Sequence, residues 1–154
     1  MTTNNVLIRG ACLWLLMALL LAWSMVGIFN DVGFLKSLFS GSFNRLLQAH
    51  FDFLLMTALI LGFYATRVEL PWHVTWAMVI GAFTNSSLFM LFAIFPTLDP
   101  VSEQFVPTGT AHMPFNVYMY TSLIITSYGF GKGAVIVLKS SLQTNAKTIV
   151  EHQN

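Results

Sequence analysis

The sequence predicts an all-α integral membrane protein, a bundle of four transmembrane helices. Of its 154 residues, 56% are hydrophobic and only 8% are charged, whereas a typical soluble domain carries about 25% charged residues. The mean hydropathy of +0.71 leaves too little polar surface to cover a water-soluble globule of this size. Four apolar runs are each about long enough to cross ~30 Å of hydrocarbon as a helix.

Composition also excludes several other classes of protein. A disordered chain would be poor in apolar residues and rich in charge. The net charge of +1 gives no reason to expect nucleic acid as a partner. The single cysteine, Cys12, cannot form an internal disulfide or build a zinc site alone. The expected surroundings are therefore the lipid bilayer.

The four helices are expected in one membrane domain covering residues 1–154. They are placed on the apolar runs over residues 11–29, 46–65, 72–95 and 117–138, with a polar tail over residues 139–154 that is expected to fray.

Each boundary of these helices has a local cause. The first run is longer than the apolar core of a signal peptide, so it is expected to stay as a membrane helix. The turn-forming residues 30–33 end it. Pro71 sets the start of the third helix. Three prolines, Pro96, Pro100 and Pro107, make the connection before the fourth helix long and irregular.

The distribution of basic residues predicts the orientation of the bundle. With four spans, both termini share one side of the membrane with the turn at Arg67. That side carries Arg9, Arg67, Lys139 and Lys147, against Lys36 and Arg45 on the other. The positive-inside rule then predicts cytoplasmic termini.

Three ionisable residues stand out inside the predicted helices, away from the membrane interface, and are functional candidates because such residues are costly in a bilayer. His50 is either a helix-to-helix hydrogen bonder or a metal or haem ligand. Asp52 lies about 200° around the helix from His50, so the two cannot face one pocket of the same subunit. Asp52 either pairs with Arg45 or contacts a neighbouring subunit, and Lys132 is expected to reach the cytoplasmic headgroups.

Two further patterns concern helix packing. The polar block over residues 84–87 points in all directions, so the third helix is expected to be surrounded by protein. Gly129 and Gly133 form a small-xxx-small pair that allows close approach of another helix.

Matching depths at about 1.5 Å per residue predicts a pocket in the outer half of the bundle. His50 is the candidate metal ligand, and Met90 is a second candidate for cofactor contact. Asn85, Tyr120 and Thr121 complete the ring as candidate catalytic residues. The sequence contains no HxxxH, HExxH or CxxC motif and no second intramembrane histidine, which disfavours zinc and bis-histidine haem ligation within one chain.

These features carry a resemblance to a known family. The segment Gln48-Ala49-His50 opens the second helix, Asn85 lies in the polar block, residues 94–97 read Ile-Phe-Pro-Thr, and a loop with Gly109 precedes a glycine-rich helix. In this arrangement the chain resembles styrene oxide isomerase and is similar to the hydroxylaminobenzene mutases. The resemblance covers roughly residues 45–138, and its most specific point is His50.

The resemblance implies a function. It makes His50 the axial ligand of haem b in a homotrimer of the bacterial inner membrane, with haem at the subunit contacts. The substrate would be a small apolar epoxide, opened by the ferric iron as a Lewis acid and converted to an aldehyde by a 1,2-hydride shift without net redox change. Asn85 matches a family asparagine. Where the family has Asn, Asp and Tyr, this chain has Met56, Gly81 and Phe89. These differences affect the choice of substrate more than the binding of haem.

Two other functions stay open from the residues. The chain is alternatively a haem-b membrane protein without enzymatic activity, serving electron transfer or sensing. The third possibility is a haem-free membrane interaction subunit, in which His50 and the polar block join helices.

Overall fold

The helices of the protein were located in a computed structural model that describes residues 3–107 and 109–151. No strand occurs within these two ranges. The helices are α1 (Thr3–Phe29), α2 (Gly33–Leu38), α3 (Phe43–Ala65), α4 (Trp72–Ile94) and α5 (His112–Glu151), with a short 3-10 turn at Pro96–Leu98.

Four of these helices, all except α2, are long and apolar enough to cross a membrane. The predicted fold class is therefore confirmed: the chain is an all-helical integral membrane protein with four candidate spans. The end of the bundle where α1 begins and α3 turns into α4 is called the terminal end. The opposite end, with α2 and residues 95–111, is called the loop end.

Four predicted helix ends are wrong because they followed the apolar runs: the starts of α1, α3 and α5 and the end of α5. Helix α3 begins at Phe43, not at residue 46. The first helix begins at Thr3, not at residue 11, and the last runs from His112 to Glu151, not from 117 to 138. A change of polarity does not interrupt backbone hydrogen bonding, and residues 134–151 contain no Gly or Pro to break the helix. The tail predicted to fray is thus helical to residue 151, and residues 152–154 lie outside the described part.

The connection between α1 and α3 contains a feature that the sequence did not indicate. As predicted, α1 ends before the turn, where Asp31 adopts a left-handed conformation with φ of 61°. The six-residue helix α2 then follows, too short to show a periodic pattern. Ser42 caps α3, its hydroxyl accepting a hydrogen bond from the Asn44 amide at 3.3 Å.

Helix α4 is the centre of the arrangement. It contacts α1 and α3, which also pack on each other, and it carries α5 along another side. Within the polar block, Ser86 and Ser87 are buried, while Thr84 and Asn85 are half-buried. No residue from Gly81 to Ile94 is exposed, so the prediction that this helix is surrounded by protein is confirmed around the polar block. Nearer the start of α4, Trp72, Trp76 and Ile80 are exposed.

Glycine permits the close approach of α5 to α4. A Cβ atom at Gly129 would lie 2.6 Å from the backbone nitrogen of Met78, and one at Gly81 would lie 2.7 Å from the Cα atom of Thr126. The prediction of close packing at Gly129 is confirmed. At Gly133 the nearest atom would be Cε1 of the Phe63 side chain, at 3.2 Å.

Trp14 joins α1 to α4 and provides a first testable prediction. Its indole N–H donates to the carbonyl oxygen of Val79 at 3.1 Å, and its ring stacks on Phe83 with centroids 4.7 Å apart. We expect Trp14→Phe to keep the stacking and lose the hydrogen bond, lowering the free energy of unfolding by about 1 kcal/mol. Thermal unfolding in detergent measures this, with Trp23→Phe as the control because Trp23 is 73% exposed. Equal effects of the two substitutions would contradict the assignment.

Candidate functional site

His50 lies on the side of α3 that faces α1. Its Nδ1 atom is 2.9 Å from the carbonyl oxygen of Ala18. Because a carbonyl oxygen only accepts hydrogen bonds, Nδ1 must carry the proton, and in the neutral ring the lone pair is then on Nε2. Metal-binding histidines are commonly fixed in this way, with one ring nitrogen donating to a backbone carbonyl.

The surroundings of His50 explain how α3 and α1 come this close. Ala18 on α1 and Ala49 on α3 are both fully buried in the core cluster of the loop end. His50 itself is half-buried, and the Phe51 ring centroid is 5.5 Å from that of the imidazole. Two small residues at the contact allow the helices to approach until the imidazole reaches the backbone.

Met90 is half-buried on α4 and packs against the same core cluster as Ala18 and Ala49. Met90 is therefore the one predicted neighbour of His50 that lies in the same core cluster as Ala18 and Ala49.

Asn85 turns to the other side of α3. Its amide Nδ2 donates to Oδ2 of Asp52 at 3.2 Å, whereas His50 bonds to α1. The predicted divergence of His50 and Asp52 is therefore confirmed. The suggested pairing of Asp52 with Arg45 is wrong, since Arg45 binds Asp99 instead.

Tyr120 and Thr121 lie on the outward face of α5. Tyr120 is 62% exposed and Thr121 is exposed as well. The ring predicted from depth alone therefore does not close within one chain. Equal depth does not determine the direction of a side chain, and α5 turns a different face towards α4.

That face forms a polar seam which the sequence reasoning missed. The Tyr118 and Ser87 hydroxyl oxygens are 2.6 Å apart, Ser122 donates to Thr84 Oγ1 at 3.0 Å, and Thr126 donates to a carbonyl of α4 at 2.9 Å. Residues 118, 122 and 126 follow a four-residue spacing that places them on one helix face. Together with the polar block of α4, this spacing could have predicted that the two helices are joined by hydrogen bonds.

The loop end holds a buried ion pair. Arg45 Nε and Nη2 donate to the two carboxylate oxygens of Asp99, each at 2.6 Å, and the Asp99 side chain is only 5% exposed. The Arg45 hydrogen bonds hold the pKa of Asp99 below its ordinary value of 3.8; burial opposes them, while the Val101 amide and the guanidinium charge act in the same direction. A cavity of about 560 Å³ adjoins the pair.

At the terminal end, Lys132 and Tyr128 of α5 form a cluster of polar side chains with His73 of α4. Its ammonium donates to Nε2 of His73 at 3.3 Å and to the Tyr128 hydroxyl at 3.2 Å. It also lies 5.3 Å from the centre of the Tyr128 ring. Lys132 is thus level with His73 in the first turn of α4, and the His73 ring in turn lies 5.8 Å from that of Trp72.

Residues 3–107 and 109–151 contain no group of three or more His, Cys, Asp or Glu side chains that could hold a metal ion. A haem, by contrast, can be held by a single side-chain ligand. His50 is the candidate for that ligand. No protein-family model, curated protein or solved structure matches the chain.

Proposed function

We propose that this protein is a haem-b-dependent membrane isomerase in which His50 is the proximal iron ligand. The observation that carries the proposal is the hydrogen bond from Nδ1 of His50 to the carbonyl of Ala18. It fixes the tautomer that leaves Nε2 free to bind iron, and it holds the ring in one orientation. A single imidazole nitrogen would be enough to hold a haem b, which would supply the Lewis acid of the reaction.

The placement of the other candidates supports a site shared between subunits. Tyr120 and Thr121 project outward from α5, away from His50 of their own chain. In a homotrimer, the outward face of α5 in one copy lies against the α1–α3 face of the next, a head-to-tail contact that closes into a ring. Tyr120 and Thr121 of a neighbouring copy then orient the substrate oxygen.

Asn85 has a different role in this proposal. Because it bonds Asp52 on the far side of α3, it acts as a structural residue and does not contact the substrate. Met90, packed beside Ala18 and Ala49, contributes to the apolar wall behind His50.

The substrate class follows from the chemistry of this site. When bound, a ferric haem supplies a Lewis acid for an epoxide oxygen. The chain supplies exposed apolar side chains on the two helices that His50 joins: Phe51 on α3, whose ring lies 5.5 Å from the imidazole, and Leu20 on α1. Such a surface, covered by a neighbouring copy, excludes water and admits a small hydrophobic substrate. The termini face the cytoplasm of a bacterial inner membrane, as the basic residues favour.

An absorption spectrum of the detergent-purified protein tests the proposal. We expect a Soret band in the wild type, its loss in His50→Ala, and its recovery when imidazole is added to that variant. His73→Ala and His112→Ala are the matched controls and should keep the band. A high-spin ferric spectrum and turnover of an aryl epoxide to an aldehyde would support the isomerase.

Two results would contradict the proposal. A low-spin spectrum without epoxide turnover would favour the haem protein for electron transfer or sensing. Absence of a haem band in protein from haem-replete cells would leave His50 as a bond between helices in an interaction subunit.

A further inference from the structure

The cluster formed by Lys132, Tyr128 and His73 has only hydrogen-bond donors left for a further partner. The ammonium of Lys132 has three N–H groups, and it uses two of them, on His73 Nε2 and on the Tyr128 hydroxyl oxygen. Since Nε2 of His73 accepts, the neutral imidazole carries its proton on Nδ1. The third ammonium proton, the Tyr128 O–H and the His73 Nδ1–H thus remain, and no acceptor for them lies among the described residues.

The cluster also carries a net positive charge. Within residues 3–107 and 109–151, Lys132 takes part in no ion pair, and Glu69 in the turn before α4 is exposed and does not bond to it. His73 is the second residue of α4, so the positive end of the helix dipole lies at the same place. The N-cap residue of this helix, Pro71, makes no side-chain hydrogen bond. The matching ligand is an anion with oxygen acceptors, and phosphate meets both requirements.

The depth of the cluster is that of the phosphate groups of one leaflet. Helix α4 has 23 residues and measures about 35 Å, slightly more than the ~30 Å of hydrocarbon. Its first turn therefore reaches the edge of the hydrocarbon. Trp72 and Trp76 are exposed there, and tryptophan is enriched at the membrane–water interface. Basic pockets between transmembrane helices bind the head groups of anionic lipids.

Exposed apolar side chains continue from the cluster into the hydrocarbon. Trp76 and Ile80 follow Trp72 at intervals of four residues, so the three lie on one face of α4, and all are exposed. A lipid whose phosphate is held at Lys132 can lay an acyl chain along this face. A soluble phosphate would not make this contact, which favours a lipid as the source of the phosphate.

We propose that Lys132, Tyr128 and His73 bind the phosphate of one anionic phospholipid in the leaflet at the terminal end. A zwitterionic lipid brings its own ammonium or choline group, whose positive charge the cationic cluster repels. The site is separate from that of His50, which bonds to α1, and it does not depend on haem binding.

Thermal unfolding of the full-length protein in detergent, after removal of bound lipid, tests the binding. Phosphatidylglycerol, phosphatidylcholine with the same acyl chains and glycerol phosphate are added separately. We expect phosphatidylglycerol to raise Tm by a few degrees more than phosphatidylcholine, because a ligand that binds only the folded state stabilises it. Glycerol phosphate should have little effect. Equal shifts with the two lipids would overturn the proposal, and a shift with glycerol phosphate as large as that with phosphatidylglycerol would overturn the assignment to a lipid.

Variants of the cluster identify the residues that bind. Lys132→Gln should weaken the binding of phosphatidylglycerol about fivefold, as expected for one basic contact with an anionic lipid, whereas Lys132→Arg should keep most of it. Tyr128→Phe keeps the ring but removes one donor, so a smaller loss is expected. The control Lys139→Gln removes the same charge from an exposed position seven residues further along α5 and should retain the binding. Equal losses in Lys132→Gln and Lys139→Gln would show only a general attraction between basic residues and anionic lipid, and would overturn the site.

Tryptophan fluorescence tests the position of the lipid without unfolding the protein. The Trp72 ring lies 5.8 Å from that of His73, and bromine atoms on a lipid chain quench tryptophan on contact. The background variant Trp23→Phe removes an exposed tryptophan from the other half of the bundle. In it, brominated phosphatidylglycerol should reach half-maximal quenching at about a fivefold lower mole fraction than brominated phosphatidylcholine. Adding Lys132→Gln should bring the two curves together. Coincident curves before that substitution would overturn the placement.

Discussion

Substitution of Gly129 by alanine is expected to destabilise the protein by about 3 kcal/mol or more, near or above the upper end of overpacking costs. The added methyl group would lie 2.6 Å from the Met78 nitrogen and 2.8 Å from the carbonyl carbon of Ala77. Both are backbone atoms and cannot turn aside as a side chain does, so α5 must move away from α4. Lipid is as apolar as a buried leucine, so helices in a membrane are held together by close packing and interhelical hydrogen bonds. Moving α5 away from α4 weakens both.

Gly131 is the matched control for this prediction. It lies two residues further along α5, and a Cβ atom there would meet nothing within 4 Å. Gly131→Ala should therefore be neutral or slightly stabilising, since alanine is favoured over glycine in a helix by about 1 kcal/mol. Unfolding in a detergent and denaturant series measures both variants. Similar losses at the two positions would show that the α4–α5 contact is not as close as described.

Removal of Arg45, at the loop end, is expected to lower the free energy of unfolding by a similar amount. Arg45→Ala leaves the Asp99 carboxylate, which is 5% exposed, without its ionic partner. Breaking a buried pair in this way typically costs about 3–5 kcal/mol, whereas replacing both partners by apolar residues is often nearly neutral. We therefore expect the double variant Arg45→Met/Asp99→Leu to recover much of the stability, as a double-mutant cycle would measure.

The same ion pair predicts a pH dependence. The pKa of Asp99 is lowered from 3.8 in the folded protein, principally by the hydrogen bonds from Arg45. A carboxyl whose pKa is lowered by folding contributes stability above its unfolded value, and this contribution is lost as the pH falls through the folded value. The pair should thus be intact at pH values above 3.8 and should weaken below it. Unfolding of the wild type and of the double variant, followed from neutral pH into this acidic range, measures the difference. A double variant with unchanged acid sensitivity would contradict the role of Asp99.

The spans could be predicted from sequence because the bilayer imposes their length and polarity. The end of α1 and the start of α4 at Trp72 follow from local turn chemistry, and the close approach at Gly129 follows from a short motif. The helical structure of residues 139–151, at the C-terminal end of α5, was not predicted, because polar residues outside the membrane can be helical without forming an apolar run.

The candidate site was predicted less completely. Depth along a helix follows from residue counting, but rotation depends on which neighbour each helix packs against. Counting therefore gave Tyr120 the same level as His50, yet α5 turns Tyr118 towards α4 and Tyr120 outward. The pairing of Arg45 with Asp99, 54 residues apart in sequence, depends on how the loop folds back and leaves no local pattern.

Helix α5 is long enough to extend beyond the membrane. The helix has 40 residues and α4 has 23, so they measure about 60 Å and 35 Å. Since Phe115 packs on Phe92 at the loop end and Lys132 meets His73 at the other, the surplus of about 25 Å projects from the terminal end. The headgroup layer on one side of a bilayer is only about 5–8 Å thick. Because the surplus is longer than this layer is thick, the last turns of α5 are expected to extend past the headgroups into water, where soluble proteins and proteases can reach them.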